Sequence, residues 1–295
     1  MKNKKVLPIY IYLLGWLLFF STLPIIAQQD IPIEIEKTSG NVYCLTGIGG
    51  NMALLETNEC LLVIDSKFQD NAEKVLARIT AFSAKPLKYL VDTHYHGDHT
   101  GGNEIIGKNA EIIAHQNCKT SLIKTLESQK KDTACASRIK TFDDTMELTL
   151  GDEKVKLLYL GAGHTSGDTI VVFENAKVIH PGDLFFNGLP PYIDVKDGSD
   201  TENWLRIIET LAKTYPDYKL IPGHGKVADM KSFLRFADYL RFLRDETAKA
   251  IKAGKTREQA MAETDFTAFK DLEERGFLSK KNNIGWVYDE MTRQK

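Results

Sequence analysis

Short apolar runs bounded by turn residues alternate along the chain with longer segments in which apolar residues recur at helical spacing. Val75, Leu76 and Ile79 show the helical spacing, whereas Leu61–Ile64 is a continuous apolar run of strand length. Because strands alternate with helices, the pattern predicts an α/β fold rather than an all-β one. Strands are predicted at residues 42–45, 52–55, 61–64, 87–91, 145–150, 154–160, 169–173, 177–180 and 219–221, and helices at 70–82, 117–131, from 201 onward and through most of the segment beyond 229.

Two helix starts carry capping signals. Ser199 is followed by Glu202 in the pattern of a capping box, and Thr256 and Gln259 repeat that pattern. No internal repeat or Pro/Ser-rich linker divides the chain. We therefore expect one main domain over residues 28–228, with the helices of residues 229–295 packed on the same domain.

Residues 1–27 differ in character from the rest of the chain. They begin with Lys2, Lys4 and Lys5, continue as an apolar run, and end at Ala27 before a polar segment. This order is typical of a signal peptide cleaved after Ala27. The alternative is a membrane anchor through residues 6–27, which are nearly long enough to cross a bilayer. On either interpretation we expect the folded part outside the cytoplasm, in the periplasm or secreted, with membrane contact only if the segment stays uncleaved.

Composition and charge indicate a globular protein and disfavour nucleic acid as its partner. The chain is 43% hydrophobic and 26% charged, which is typical of a globular protein and excludes disorder and a coiled coil. Without residues 1–27 it carries 35 basic against 40 acidic residues, a formal charge of -5. An acidic body disfavours a nuclease and predicts no nucleic-acid partner. The sequence carries no signal for an oligomeric state.

The four cysteines leave two interpretations open. Cys44, Cys60, Cys118 and Cys135 are able to form disulfides in an exported protein. Their spacing favours no pairing, because a helix of about a dozen residues between the last two would hold its ends roughly 18 Å apart. Buried free thiols are the alternative.

Three histidines and an aspartate follow a predicted strand within six residues. Side chains alternate along an extended chain, so His94 and His96 point the same way and can chelate one ion. Asp98 and His99 come after a glycine, where the chain can turn toward a second ion. Imidazole and carboxylate are ligands that suit zinc or iron. Because the whole chain has only seven histidines, this density predicts a metal site.

Three further polar residues lie just past the ends of predicted strands. His164 follows residues 157–160, Asp183 follows the strand that ends at residue 180, and His224 follows the strand that ends at residue 221. Loops at strand ends are where an open α/β sheet gathers its site. We expect these three side chains to join the first cluster.

These motifs closely resemble those of the metallo-β-lactamase superfamily, from about residue 40 to 228. The resemblance rests on His-x-His-x-Asp-His at 94–99, Gly-His-Thr-x-Gly-Asp at 163–168, Pro-Gly-Asp at 181–183 and Pro-Gly-His-Gly at 222–225. It implies a four-layer αβ/βα sandwich with a dinuclear site at one edge and a helical C-terminal extension. It also implies the ligands: His94, His96 and His164 for the first metal, Asp98, His99 and His224 for the second, and Asp183 as a bridge. His115 and His180 remain, and we expect structural roles for them.

The implied activity is that of an exported zinc hydrolase with two Zn²⁺ per chain. Two metals can share a bridging hydroxide, since each lowers the pKa of bound water toward about 7. Such a nucleophile attacks an activated acyl bond in a small molecule, namely a β-lactam, a lactone or a thioester. Asp98 is the predicted catalytic residue, which orients the nucleophile or handles its proton as well as binding metal.

The residues around Asp183 leave the acyl substrate open. A bridging Asp resembles hydroxyacylglutathione hydrolases and lactonases, whereas the commonest β-lactamase subclass has a Cys there and a Lys three residues later. This chain has Phe186 at that later position. Export, in contrast, favours a β-lactamase. We expect a mobile hairpin at Gly47–Asn51 over the metals, and Leu184–Asp194 either as an apolar pocket wall that includes Tyr192 or as an ordinary turn.

Two rival functions are compatible with the motifs. One is a mononuclear non-haem iron persulfide dioxygenase of the same superfamily. The other, from a different class, is a non-catalytic metal-binding module.

Overall fold

The computed structural model describes residues 31–293, so the predicted signal peptide at residues 1–27 lies outside the described residues. The described chain forms two sheets. The first sheet contains, side by side in chain order, β1 (Glu34–Ser39), β2 (Val42–Thr46), β3 (Met52–Glu56), β4 (Leu61–Ile64), β5 (Leu87–Asp92), β6 (Glu111–His115) and β7 (Lys140–Phe142). The second contains β8 (Thr145–Leu150), β9 (Glu153–Leu158), β10 (Ile170–Phe173), β11 (Val178–His180) and β12 (Lys219–Leu220), in the order β12-β11-β10-β9-β8.

Helices flank both sheets. They are α1 (Ala72–Phe82), α2 (Gly97–Thr100), α3 (Asn103–Ile106), α4 (Gln116–Ser128), α5 (Ala134–Ser137), α6 (Thr201–Thr214), α7 (Met230–Lys252), α8 (Arg257–Glu263) and α9 (Lys280–Thr292). None of the helices within residues 31–293 is long and apolar enough to cross a membrane.

Both sheets are mixed. Strands β1 to β4 pair antiparallel and β4 to β7 pair parallel. In the second sheet β8 to β11 pair antiparallel, and β12 joins β11 in parallel. A parallel pair needs a crossover connection. Helices α1, α4 and α6 lie in three of the four crossovers, and the short helices α2 and α3 lie in the fourth, between β5 and β6.

The alternation of side chains along the strands builds four layers. In β10, Val171 and Phe173 enter the core between the two sheets, whereas Ile170 and Val172 face the helices on the other side. The outer face of the first sheet packs on α1 and α4, and that of the second sheet packs on α6, α7 and α9. The predicted four-layer αβ/βα sandwich with C-terminal helices is therefore confirmed.

One of the two predicted capping boxes is wrong. Thr256 and Gln259 form the box at the start of α8, as expected. At α6 the cap is Asp200, whose side chain accepts from the backbone N–H of Asn203. Ser199 lies one residue too early, because its hydroxyl faces Glu290 of α9 instead of its own helix.

The cysteines are free thiols. Cys44, Cys60 and Cys118 are buried and Cys135 is partly exposed, and none of the four forms a disulfide. Of the two open interpretations, the structure favours small hydrophobic side chains in the core.

Candidate metal centre

The structure brings all seven predicted site residues together at one edge of the two sheets, past the ends of β5, β9, β11 and β12. They fall into two groups, in each of which the ligand atoms lie within 4.8 Å of one another. The groups are His94, His96, His164 and Asp183, and Asp98, His99 and His224.

The first group converges on one point. Nε2 of His94 and Nε2 of His164 each lie 3.0 Å from Nδ1 of His96. Asp183 Oδ2 is 3.7 Å from the first of these atoms and 3.5 Å from the second. Tetrahedral coordination at metal–nitrogen distances of about 2.0 Å holds ligand atoms roughly 3.3 Å apart, so one ion fits among these four side chains.

The second group shares Asp183 with the first. His224 Nε2 lies 3.2 Å from Asp98 Oδ2 and 3.4 Å from Asp183 Oδ2. His99 Nε2 lies 3.2 Å from the other oxygen, Asp183 Oδ1, and 3.6 Å from Asp98 Oδ2. Asp183 thus faces both groups, which is the arrangement expected of a carboxylate between two metals.

Two atoms of the site are buried without a hydrogen-bond partner. They are His99 Nε2 and Asp183 Oδ1, which lie 3.2 Å apart but without the alignment of a hydrogen bond. Buried polar atoms are almost always paired, and each unpaired one costs about 1–3 kcal/mol. A divalent cation would satisfy both atoms, so the residues present fit a dinuclear metal site.

Burial and charge set the protonation of the ligands. Burial lowers the pKa of His94 well below its usual value and that of His164 to about 4, so both rings are in the neutral, metal-binding form. Burial also opposes charge on His224, but Asp183 outweighs it and raises the pKa of His224 to about 9. For Asp183 the effect of burial is outweighed by the neighbouring imidazoles, which hold its pKa well below the usual range.

Asp65 orients two of the rings from behind. Its Oδ2 accepts from His99 Nδ1 at 2.7 Å and from the Thr93 hydroxyl at 2.9 Å. The same hydroxyl lies 3.0 Å from His94 Nδ1 and can accept its proton. The opposite nitrogen of each ring is thereby left free to face the metal site. Sequence reasoning missed Asp65, although it follows the buried run Leu61–Ile64 and so obeys the strand-end pattern used for the ligands.

The other two rings of the first group are held by the loop before α6. Asp194 Oδ2 accepts from His96 Nε2 at 2.9 Å and also from the hydroxyl of Tyr95. The backbone carbonyl of Tyr192 accepts from His164 Nδ1 at 2.9 Å. Nothing local in the sequence marks Asp194, because its partner is almost a hundred residues away.

The hairpin loop Gly47–Asn51 closes against the second group. A Cβ atom on Gly50 would lie 2.2 Å from the ring of His99, so only glycine fits there. The Lys67 ammonium donates to the Gly50 carbonyl at 2.6 Å, and the Asn51 amide donates to the carbonyl of Pro222 at 2.9 Å. Close approach to His99 is thus one reason for a glycine in this loop, and the predicted mobility of the loop stays a prediction.

Aromatic rings line two sides of the site. Phe186 stacks on His224 with ring centroids 5.1 Å apart. Tyr192 lies 5.5 Å from His96 and 6.0 Å from His164, centroid to centroid. The segment Leu184–Asp194 therefore supplies an apolar wall beside the two groups.

The two remaining histidines lie outside both groups. His180 Nδ1 accepts from the backbone N–H of Gly182, and its Nε2 lies 3.2 Å from the Asn51 carbonyl. His115 caps α4 and stacks on Tyr159 with centroids 3.6 Å apart. Both have the structural partners expected of them.

Two relatives with low sequence identity to this chain are both named metallo-beta-lactamase type 2. The chain is 26% identical over 227 residues to a metallo-beta-lactamase type 2 of Bacillus cereus, which covers 74% of this chain and 86% of that protein. It is 23% identical to a metallo-beta-lactamase type 2 of Elizabethkingia meningoseptica, over 72% of this chain and 87% of that protein.

Solved structures share the fold, and a family profile covers the site. A metallo-beta-lactamase from Pontibacter korlensis superposes with a TM-score of 0.61 at 21% identity, over 71% of this chain and 99% of that one. A sec-alkylsulfatase from Pseudomonas sp. superposes with a TM-score of 0.69 at 15% identity, over 88% of this chain and 50% of that one. The profile described as the metallo-beta-lactamase superfamily matches residues 45–224, more than half of the chain and all seven site residues. The protein therefore belongs to the metallo-beta-lactamase superfamily.

Proposed function

We propose that the protein is an exported, zinc-dependent hydrolase that holds two Zn²⁺ per chain and cleaves an activated acyl bond in a small molecule. The bond is that of a β-lactam, a lactone or a thioester. The observation that carries this proposal is the pair of His/Asp groups joined by Asp183, in which both orphaned polar atoms face the same region. When bound, two zinc ions would lower the pKa of a water between them toward about 7 and polarise the acyl oxygen.

Asp98 is the residue best placed to handle the proton of the attacking water. Its side chain is 21% exposed, against 4% for Asp183, so it is the more open of the two carboxylates. Burial opposes its charge, but the neighbouring His99 and His224 outweigh that effect and lower the pKa of Asp98 to about 2. It is therefore ionised at neutral pH and can accept a hydrogen bond that orients the water.

The residue at position 186 offers no cation that could bind a carboxylate group of the substrate. Phe186 is buried and stacked on His224, so that position offers an apolar contact and no cation. The names of the Bacillus and Elizabethkingia relatives support a β-lactam. A lactone or thioester is supported by the bridging Asp183, and we propose the acyl class as a whole.

A substrate panel tests the proposal. Zinc-loaded protein is assayed on a chromogenic β-lactam, a lactone, a thioester, and sulfate and phosphate esters. We expect turnover of at least one acyl substrate, and about 10²-fold or greater loss in His96→Ala and Asp98→Asn. Asp245→Asn, an exposed position on α7, is the matched control and keeps full activity. Failure of the wild type on every acyl substrate would refute the hydrolase.

A further inference from the structure

Three aromatic rings continue the wall of the site outward into solvent. Tyr192 contacts His96 and His164 on one side, with centroids 5.5 and 6.0 Å away. On its other side it contacts Trp286 at 5.1 Å and Phe277 at 5.9 Å. The three rings, Tyr192, Trp286 and Phe277, which we call the aromatic strip, thus run from the metal centre to the C-terminal segment.

The outer end of the aromatic strip is presented by a tight turn. Arg275 and Leu278 pair as an isolated antiparallel bridge, and Gly276 takes a left-handed φ of 57° between them. The Asn282 side chain donates to the Phe277 carbonyl at 2.8 Å. Phe277 lies near the tip of this turn with 62% of its surface exposed, the largest value among the exposed large hydrophobic residues of the described chain. Because its ring lies 5.9 Å from Tyr192 and 6.4 Å from Trp286, Phe277 extends a contiguous aromatic group and is not an isolated surface residue.

The inner end of the aromatic strip is fixed to the fold. Asn283 of α9 is fully buried, and its amide donates to the carbonyl of Pro191, the residue before Tyr192, at 2.6 Å. Its Oδ1 accepts from the Tyr239 hydroxyl at 2.9 Å. The backbone N–H of Glu273 donates to the Gly188 carbonyl at 2.9 Å. Two hydrogen bonds therefore join the C-terminal segment to the loop that carries Tyr192.

We propose that the aromatic strip is a subsite for an apolar alkyl chain or aryl group of the substrate. The inference rests on the proposed acyl hydrolysis and specifies its substrate class as acyl compounds with a large uncharged substituent. The three side chains carry no formal charge at neutral pH, and Tyr192 alone contacts the rings of the first ligand group. A substituent that extends from the reacting bond past Tyr192 would therefore meet Trp286 and Phe277 next. Two of the three rings come from beyond residue 224, where the family profile ends.

The alternative location for such a substituent is Phe68. This residue is 42% exposed and lies beside Gly49 and Asp98, at the second ligand group. Phe68 has no neighbouring ring among the described aromatic contacts, whereas the aromatic strip offers three in succession. The proposal therefore commits to the strip.

Chain-length preference tests this assignment. Octanoyl and acetyl thioesters of one thiol are compared in the zinc-loaded wild type and in Phe277→Ala, Phe68→Ala and Leu234→Ala. Leu234 is 42% exposed on α7 and serves as the matched control. We expect the octanoyl-to-acetyl ratio of kcat/KM to fall about tenfold in Phe277→Ala and to stay within about twofold in Leu234→Ala. An unchanged ratio in Phe277→Ala, or an equal fall in Phe68→Ala, would overturn the assignment.

A binding measurement separates this inference from the proposed function. Octanoate is titrated against the tryptophan fluorescence of the same proteins, with Trp286→Phe to identify the responding ring. We expect a response that needs Trp286 and a Kd about tenfold weaker in Phe277→Ala. If that holds while none of the β-lactam, lactone and thioester substrates is cleaved, the subsite stands and the acyl hydrolase falls. If octanoate binds wild type and Phe277→Ala equally, the subsite is wrong whatever the turnover.

Discussion

At the scale of single residues, Asp65 holds two of the site's histidine rings in place. It contacts His99 directly and His94 through the Thr93 hydroxyl, while its Oδ1 accepts from the Thr93 backbone N–H at 2.7 Å. All of these groups are buried. When each ring is neutral, this carboxylate favours the tautomer with the proton on Nδ1, which leaves His94 Nε2 and His99 Nε2 available to bind a metal.

Asp65→Asn should weaken metal binding without removing a ligand. An amide can no longer accept at both oxygens, so the rings of His94 and His99 lose their fixed orientation. We expect zinc affinity to fall about 10- to 100-fold, measured by competition with a chromophoric chelator. Asp245→Asn provides the exposed comparison, and equal affinity in Asp65→Asn and the wild type would contradict this account.

Lys67 is a buried cation with one acceptor. Its ammonium donates to the Gly50 carbonyl, and burial lowers its pKa to about 8 despite partial compensation by Cys44, Asp98 and Asp65. Below that pH the lysine is charged in both the folded and the unfolded chain, so folding bears the full desolvation penalty. As the pH rises from 8 toward 10, the folded chain releases the proton first, and this penalty is relieved.

Any gain in the free energy of unfolding of Lys67→Met over the wild type should therefore shrink as the pH rises. Met has a similar unbranched side chain that does not titrate. We therefore expect the difference between the free energy of unfolding of the wild type and that of the variant, wild type minus variant, to increase between pH 8 and 10. Urea unfolding of the metal-free proteins at pH 7, 8, 9 and 10 measures it. A difference that is flat or falls with pH would show that the folded-state pKa of Lys67 is not lowered.

The metal-binding residues could be predicted from sequence because each follows a recognisable apolar strand. Asp65 obeys the same pattern and could have been found by it. Asp194 could not, since its role depends on a loop folding back across to His96. Only part of the aromatic strip could be predicted from the sequence. Tyr192 was predicted as part of a possible pocket wall, but no sequence periodicity connects it with Phe277.

At the scale of elements, α9 joins the C-terminal helices to the site. Glu290 on this helix accepts from the Thr201 backbone N–H at 3.1 Å and from its hydroxyl at 2.7 Å, at the start of α6. Arg244 of α7 lies 3.3 Å from the same carboxylate. One side chain therefore ties three helices together next to the loop that carries Tyr192.

Glu290→Ala should loosen this junction. The charged hydrogen bonds to Thr201 would be lost and the Arg244 guanidinium left with fewer partners, so we expect the free energy of unfolding to fall by about 2 kcal/mol. Urea denaturation of the variant and of Glu258→Ala, an exposed position on α8, measures the effect. A change in Glu290→Ala no larger than in Glu258→Ala would show that the junction adds nothing.

The boundaries of helices could be predicted from the sequence where residues close in the chain determine them. Thr256 was correctly predicted as a cap because its partner Gln259 is local. Ser199 was wrong because a distant residue, Glu290, occupies its hydroxyl. Strand β1 was not predicted, since it is a largely exposed edge strand, and β7 was missed because three residues are too few to show a period.

At the scale of the whole molecule, the apolar core extends through both sheets and their helices, well beyond the edge that carries the metal centre. Three clusters of buried residues fill the space between the sheets and beneath the helices on either side. Phe186 and Trp204 of one cluster contact His224 and His164, but the clusters as a whole are built from the two sheets and their helices. The fold is thus expected to survive when the metals are removed.

Removal of the metals by a chelator should abolish hydrolysis and leave the secondary structure unchanged. The thermal midpoint is expected to fall, because zinc at 1,000 times its Kd stabilises the folded state by about 4 kcal/mol. Far-UV circular dichroism and a thermal scan, before and after zinc is restored, measure both effects. Loss of the far-UV signal at room temperature on chelation would contradict a fold that survives without the metals.

Metal content is the most direct test of the central claim that the two His/Asp groups form a dinuclear zinc centre. Protein produced without added zinc is analysed by mass spectrometry for zinc and iron, together with His224→Ala. We predict about two zinc ions per chain in the wild type and about one in the variant. A single iron per chain, accompanied by thiol-dependent oxygen uptake, would contradict the account and identify the protein as a dioxygenase instead.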